Sequence, residues 1–170
     1  TMIGGGTDSW TYGAWYAVIA GGHNCYQYSY SSSIGGGMYN SAYGYISRVA
    51  GGKYSNAMSH YSSNGGGYNT WASSYGSTVG GGYDSWAAGY RSTVGGGIYT
   101  GVYSSYSTVG GGQSNYVYVS HAVIGGGHSN YLYGYSSSVG GGMSNSAYGS
   151  WSTSAGGYSN RVFSTWGLIG

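Results

Sequence analysis

The sequence predicts an all-β fold: a parallel β-solenoid (β-roll) of about eleven 15-residue coils, with two short strands in each. Three observations predict it. Glycine triplets, replaced by Ala-Gly-Gly at Ala20, Ala50 and Ala155, recur every 15 residues from Ala20 onward, after one 16-residue interval from Gly4. Within each repeat small and aromatic residues alternate, the period of a strand with two unlike faces. The composition of 170 residues, with 39 Gly, 32 Ser and 24 Tyr, opposes a helix.

Numbering each repeat from the first residue of its triplet gives fifteen columns. Columns 1 to 3 are the glycines, as in Gly36 and Gly37, Gly81 and Gly82, or Gly111 and Gly112. They predict a tight turn, because glycine adopts backbone conformations barred to other residues. Column 6 is small and polar: Asn115, Asn130, Asn145 and Asn160 in the later repeats, and Cys25 in the second. Stacked at strand spacing, these asparagines predict an interior ladder of side-chain amides.

Columns 6 to 11 then read as one strand. Its small residues face inward, with column 8 supplying Ala42, Ala72, Ala87, Val117 and Leu132 to the core. Columns 13 to 15 form the second strand, whose last position places Val49, Val79, Val94, Val109, Ile124 and Val139 inside. Coils stacked ~4.8 Å apart make a rod roughly 50 Å long.

The aromatics occupy the other face of the first strand. Columns 7, 9 and 11 hold most of them, including Trp10, Trp71 and Trp86 in column 7. Column 9 contains Tyr12, Tyr28, Tyr43, Tyr103, Tyr118, Tyr133, Tyr148 and Phe163. Rings of this size do not fit inside so narrow a coil, so the sequence predicts a long exposed aromatic stripe. Apolar patches of such extent mark interaction surfaces. Column 14 carries a row of hydroxyls (Thr78, Thr93, Thr108, Ser138, Thr153), but Val18, Arg48, Val123 and Leu168 interrupt it. It reads as ordinary exposed strand positions.

Charge excludes several functions. The formal net charge is +2, and charged residues make up 4% of the chain. Four scattered basic residues give no electrostatic footprint for nucleic acid. No apolar run approaches the ~20 residues of a membrane-spanning helix, and one cysteine allows no internal disulfide. Asp8 and Asp84 share column 5 but lie five coils apart, roughly 24 Å. His23 and His128 lie seven coils apart, about 34 Å. No carboxylate pair or metal-binding cluster forms from residues so placed. The glycine triplets lack the Lys-Ser/Thr of a phosphate loop: Lys53 is followed by Tyr54. The expectation is therefore a protein that is not an enzyme, with no catalytic residue, cofactor or metal.

The repeats resemble the head repeats of trimeric autotransporter adhesins, surface fibres of Gram-negative bacteria. The residues that carry the resemblance are Asn40-Ser41-Ala42-Tyr43-Gly44 followed by Ser47-Arg48-Val49, and Asn145-Ser146-Ala147-Tyr148-Gly149. The glycine triplets are similar to repeats of other bacterial and phage surface proteins. The resemblance implies a parallel β-roll, three chains side by side, and binding of host matrix or cells. Together these readings predict one repeat domain over residues 1–170, a segment of a longer or polymerised extracellular or cell-surface fibre. Its expected partner is itself, as a trimer or filament. The alternative is an adhesin or phage-fibre module that uses the aromatic face for glycans or host surfaces.

Overall fold

The computed structural model describes residues 1–13 and 15–170. The chain is an all-β parallel solenoid of eleven coils, two short strands per coil. Among the described residues two sheets run along the rod. One has twelve strands drawn from columns 14 and 15, from Met2–Ile3 to Leu168–Ile169. The other has eleven, centred on columns 7 and 8, from Trp10–Thr11 to Arg161–Val162. Each residue pairs with its equivalent one coil on, as Ala72 with Ala87 and Val79 with Val94. The first coil is one residue longer, so Met2 pairs with Val18 and Trp10 with Tyr26. A third ladder of parallel bridges joins column 4 residues, such as Gln113 to His128 and His128 to Met143.

The core lies between the two sheets. Columns 8 and 15 meet there, and Ala72, Val79, Ala87, Val94, Val102, Val109, Val117, Ile124, Leu132 and Val139 are buried in one continuous cluster. Ala42, Val49, Ala57, Ile19 and Ile34 form a second. The division falls at Asn64, a buried column 15 residue whose Nδ2 donates to the carbonyls of Asn56 (3.0 Å) and Thr70 (2.8 Å). Its Oδ1 accepts from Gly66 N and Thr70 Oγ1, both at 3.0 Å. With every polar atom partnered, the amide sits in the core without the penalty of an unmet hydrogen bond.

The strands are shorter than the sequence pattern suggests. Columns 9 to 12 are not part of the first strand but turn away from it: column 13 N–H groups close back on column 10 carbonyls, as Ser92 N on Gly89 O at 3.2 Å. Column 13 serines reinforce the turn, with Ser92 Oγ donating to the same carbonyl at 2.7 Å.

The corners, too, differ from expectation. Column 3 glycines do hold positive φ, 92° at Gly37, 109° at Gly82 and 91° at Gly112. Yet left-handed residues also stand at columns 5 and 12 in every coil, and almost all are not glycine: Tyr39, Asp84, Ser129, Ile46, Arg91 and Trp151 are among them, with φ between 50° and 56°. An L residue in this conformation costs about 1–2 kcal/mol. The hydrogen bonds show what it achieves. Strand N–H groups point forward to the next coil, as Thr78 N does to Ser92 O. At columns 5 and 12 the N–H points backward: Ser129 N bonds Gln113 O, and Arg91 N bonds Tyr75 O, both at 2.9 Å. The left-handed residue turns its amide toward the preceding coil and so gives that donor a backbone partner.

The column 6 asparagines are interior but do not form an amide-to-amide ladder. Asn115 Nδ2 donates to Gly111 O in its own coil (2.7 Å) and Gly127 O in the next (2.9 Å), and its Oδ1 accepts Asn130 N at 3.0 Å. In Asn40, Asn115, Asn130 and Asn145 the amide donates to the next coil's glycine carbonyl and its Oδ1 accepts the next coil's N–H, so backbone groups take the place of the neighbouring amide; Asn160 Nδ2 bonds Gly156 O of its own coil at 2.7 Å. In the three successive coils where column 6 is Thr70, Ser85 and Thr100 the strand runs five residues, Tyr68–Ala72, Tyr83–Ala87 and Ile98–Val102.

Candidate functional site

The aromatic residues do not form one stripe but three rows. The first is the flat row of column 9. Tyr28 stacks on Tyr43 with centroids 4.6 Å apart and planes 4° from parallel, and Tyr12 leans on Tyr28 at 6.4 Å. Farther along, Tyr103, Tyr118, Tyr133, Tyr148 and Phe163 make a five-ring stack with spacings of 5.4, 5.2, 5.0 and 4.9 Å. Met58, Ser73 and Ala88 separate the two stacks. There the half-buried Trp71 and Trp86 of column 7, aligned in register, take over the face, and Trp71 Nε1 donates to Asn69 Oδ1 at 2.9 Å. Trp10 lies in the same column at the exposed first coil.

Column 11 belongs to a different row. Its rings sit in the turn and pack with those of the left-handed column 12. The row runs Tyr16, Tyr30, Tyr45, Tyr61, Tyr75, Tyr90, Tyr106, His121, Tyr135, Trp151, Trp166, one ring per coil through all eleven coils. Neighbouring centroids lie 4.8 to 5.9 Å apart. Two rings in the same column stack nearly flat, as Trp151 on Trp166 at 10°. A hand-over between columns gives an edge-to-face contact, as Tyr90 to Tyr106 at 69°. Both geometries are favourable for aromatic quadrupoles.

A third row, at columns 4 and 5, uses the same hand-over: His23, Tyr39, Tyr54, Tyr68, Tyr83 and Tyr99. Lys53 lies over the rings of Tyr54 and Tyr68, 5.2 and 5.8 Å from their centroids.

These corner rows escape a column-by-column reading because neither column 11 nor column 12 is uniformly aromatic. The signal is complementary: wherever column 11 lacks a ring, column 12 supplies one. Both positions place a ring at the same corner.

The flat row alters the chemistry of its phenols. Burial pushes the hydroxyls of Tyr103, Tyr118 and Tyr133, and of Tyr116 beside them in column 7, above the ordinary value of 10.0, and the adjacent phenols add to the effect. At Tyr83 the neighbouring Tyr99 is the leading cause and the Asp84 carboxylate the next. Each of these phenols is held neutral, as hydrogen-bond donor and acceptor, to higher pH than a free tyrosine.

Among the described residues no three His, Cys, Asp or Glu side chains gather into a metal-binding cluster. Cys25 is a buried free thiol whose Sγ donates to Gly37 O at 3.6 Å. It copies the forward bond that asparagine makes elsewhere in column 6. No family model matches the chain, and no curated protein matches it in sequence.

Proposed function

We propose that this chain is an extracellular structural protein that assembles side by side into fibres through its aromatic corner. The observation that carries the reading is the unbroken row from Tyr16 to Trp166, which forms a ridge along the full rod. The ridge remains substantially exposed: Tyr106 is 49% accessible and Trp151 46%. Covering about 50 Å² of each ring would contribute roughly 1 kcal/mol per coil. A contact repeated in register along eleven coils adds these small terms into a strong one. Low charge supports the same reading, since two rods with a net charge of +2 each repel little at close approach.

The mechanism is mechanical: backbone ladders run along the axis, and rings join neighbouring rods. The test replaces Tyr30, Tyr45 and Tyr75 with Ser and compares filament content by sedimentation and electron microscopy. Filaments should disappear while the β-sheet circular dichroism persists. Filaments that survive the triple substitution, or a wild-type chain that stays monomeric at high concentration, refute the proposal.

A further inference from the structure

In column 7 the register runs Tyr131, Ser146, Arg161 over three successive coils. Tyr131 is covered on one side by Tyr116, 5.8 Å away and 21° from parallel. On its other side the next position in the column is a serine, so the row lacks a ring there. A cavity of about 330 Å³ opens at this point, lined by Tyr131, Ser146 and Arg161, by Ser129 and Ser144 of column 5, and by Tyr133 and Tyr148 of column 9.

Two coils, roughly 9.6 Å, separate Tyr131 from Arg161. One saturated six-membered ring fits between them at the level of Ser146.

The charge of Arg161 identifies what such a ring must carry. The chain's two acidic side chains are Asp8 and Asp84, and the nearer lies five coils away, roughly 24 Å. Among the described residues no acidic side chain reaches this exposed guanidinium, which leaves it a fork for an incoming carboxylate. The remaining lining is rich in hydroxyls, which suits a polyhydroxylated ring better than an aromatic acid. The volume stands at the low end for ligand sites, ~300–1,000 Å³, and has room for one sugar ring.

The other gaps in column 7 lack this combination. At Gly101 the ring of Tyr103 leans across, so that even a Cβ would meet it at 2.9 Å. At Ser41 and Asn56 no arginine follows; the next residue is Trp71, and the Asn56 amide is engaged with Tyr54 O at 3.1 Å.

We propose that the gap over Ser146 binds a carboxylated sugar ring of the uronic acid class. The ring lies against the open face of Tyr131, its carboxylate is held by Arg161, and its hydroxyls bond Ser129 and Ser144. The site lies away from the column 11 and 12 corner, so it does not depend on lateral assembly.

The experiment titrates the protein with methyl β-D-glucuronide and methyl β-D-glucoside and follows backbone amide shifts by NMR. Saturable shifts at Ser146 and Arg161 are expected, with the uncharged glucoside about tenfold weaker, the size of one charge-assisted hydrogen-bonded pair. Arg161→Gln should lower glucuronide to the level of glucoside. Ser146→Tyr, which supplies the absent ring, should abolish both while the circular dichroism is unchanged. Equal affinity for the two sugars, wild-type binding by Ser146→Tyr, or no shift at these residues at millimolar sugar overturns the proposal.

Discussion

The side-chain amide of Asn130 donates to the carbonyl of Gly142, one coil on, at 3.1 Å, and to that of Gly126 in its own coil at 2.9 Å. Its Oδ1 accepts the N–H of Asn145 at 2.9 Å. One buried side chain thus joins two coils through three backbone groups. Asn130→Ala should cost about 3 kcal/mol, roughly 1 kcal/mol for each lost bond. Asn130→Ser should cost less, since Ser55 in the same column reaches the forward carbonyl of Gly67 at 3.4 Å. Urea unfolding measures both, and hydrogen exchange at the Asn145 amide locates the loss.

Adjacent glycines of one triplet should respond oppositely. A Cβ on Gly127, at φ 92°, would collide with the carbonyl oxygen of Gly142. Gly127→Ala is expected to destabilise by about 3 kcal/mol or more. A Cβ on Gly126 meets nothing within 4 Å, and its φ is outside the left-handed region. Gly126→Ala should be neutral or stabilise by up to about 1 kcal/mol, through a less flexible unfolded chain. Thermal denaturation of the two variants side by side decides it.

Ile46 is a β-branched residue at φ 52°. Asparagine tolerates this region far better. Ile46→Asn should stabilise by about 1 kcal/mol, raising the midpoint of thermal unfolding by roughly 2–4 °C for a chain of this size. An unchanged or lower midpoint would show that the Ile46 side chain contributes more by packing than its backbone loses by strain.

Alkaline pH should loosen the flat row. Tyr103, Tyr116, Tyr118 and Tyr133 have folded-state values above 10.0, the unfolded reference. Above pH 10 the unfolded chain releases these protons while the folded chain retains them, so stability falls as pH rises. The contribution is complete below pH 10 and is lost as pH climbs through the higher folded-state values. Urea midpoints measured against pH should be flat and then drop, with tyrosinate absorbance and loss of circular dichroism rising together. Replacing the four tyrosines with Phe should remove most of the drop.

The parts of this fold that were legible in the sequence are those where one column does one job. Val79, Val94 and Val109 share column 15 and one core position, so a 15-residue ruler finds them. The same ruler misreads features that span two columns. Tyr90 and Tyr106 stand in different columns yet touch at 5.4 Å, because the left-handed corner brings both ring positions to one edge. The corner itself carries no compositional mark: Tyr39, Arg91 and Trp151 occupy positions where glycine would be expected, held there by backward hydrogen bonds between backbone groups that every residue type shares. Asn64 likewise looks like a defect in an aliphatic column until its four partners are seen. Of the Ser146 cavity, the register of Tyr131, Ser146 and Arg161 is written in the repeat, but the open ring face beside them is not.

The 15-residue register has a consequence under load. A coil occupies roughly 5 Å of the axis, yet its residues drawn straight span about 50 Å. A rod pulled from its two ends would therefore hold some ten times its own length in reserve. That length would be released one coil at a time as each set of ladder bonds opens, so the molecule would absorb work by lengthening in steps instead of breaking.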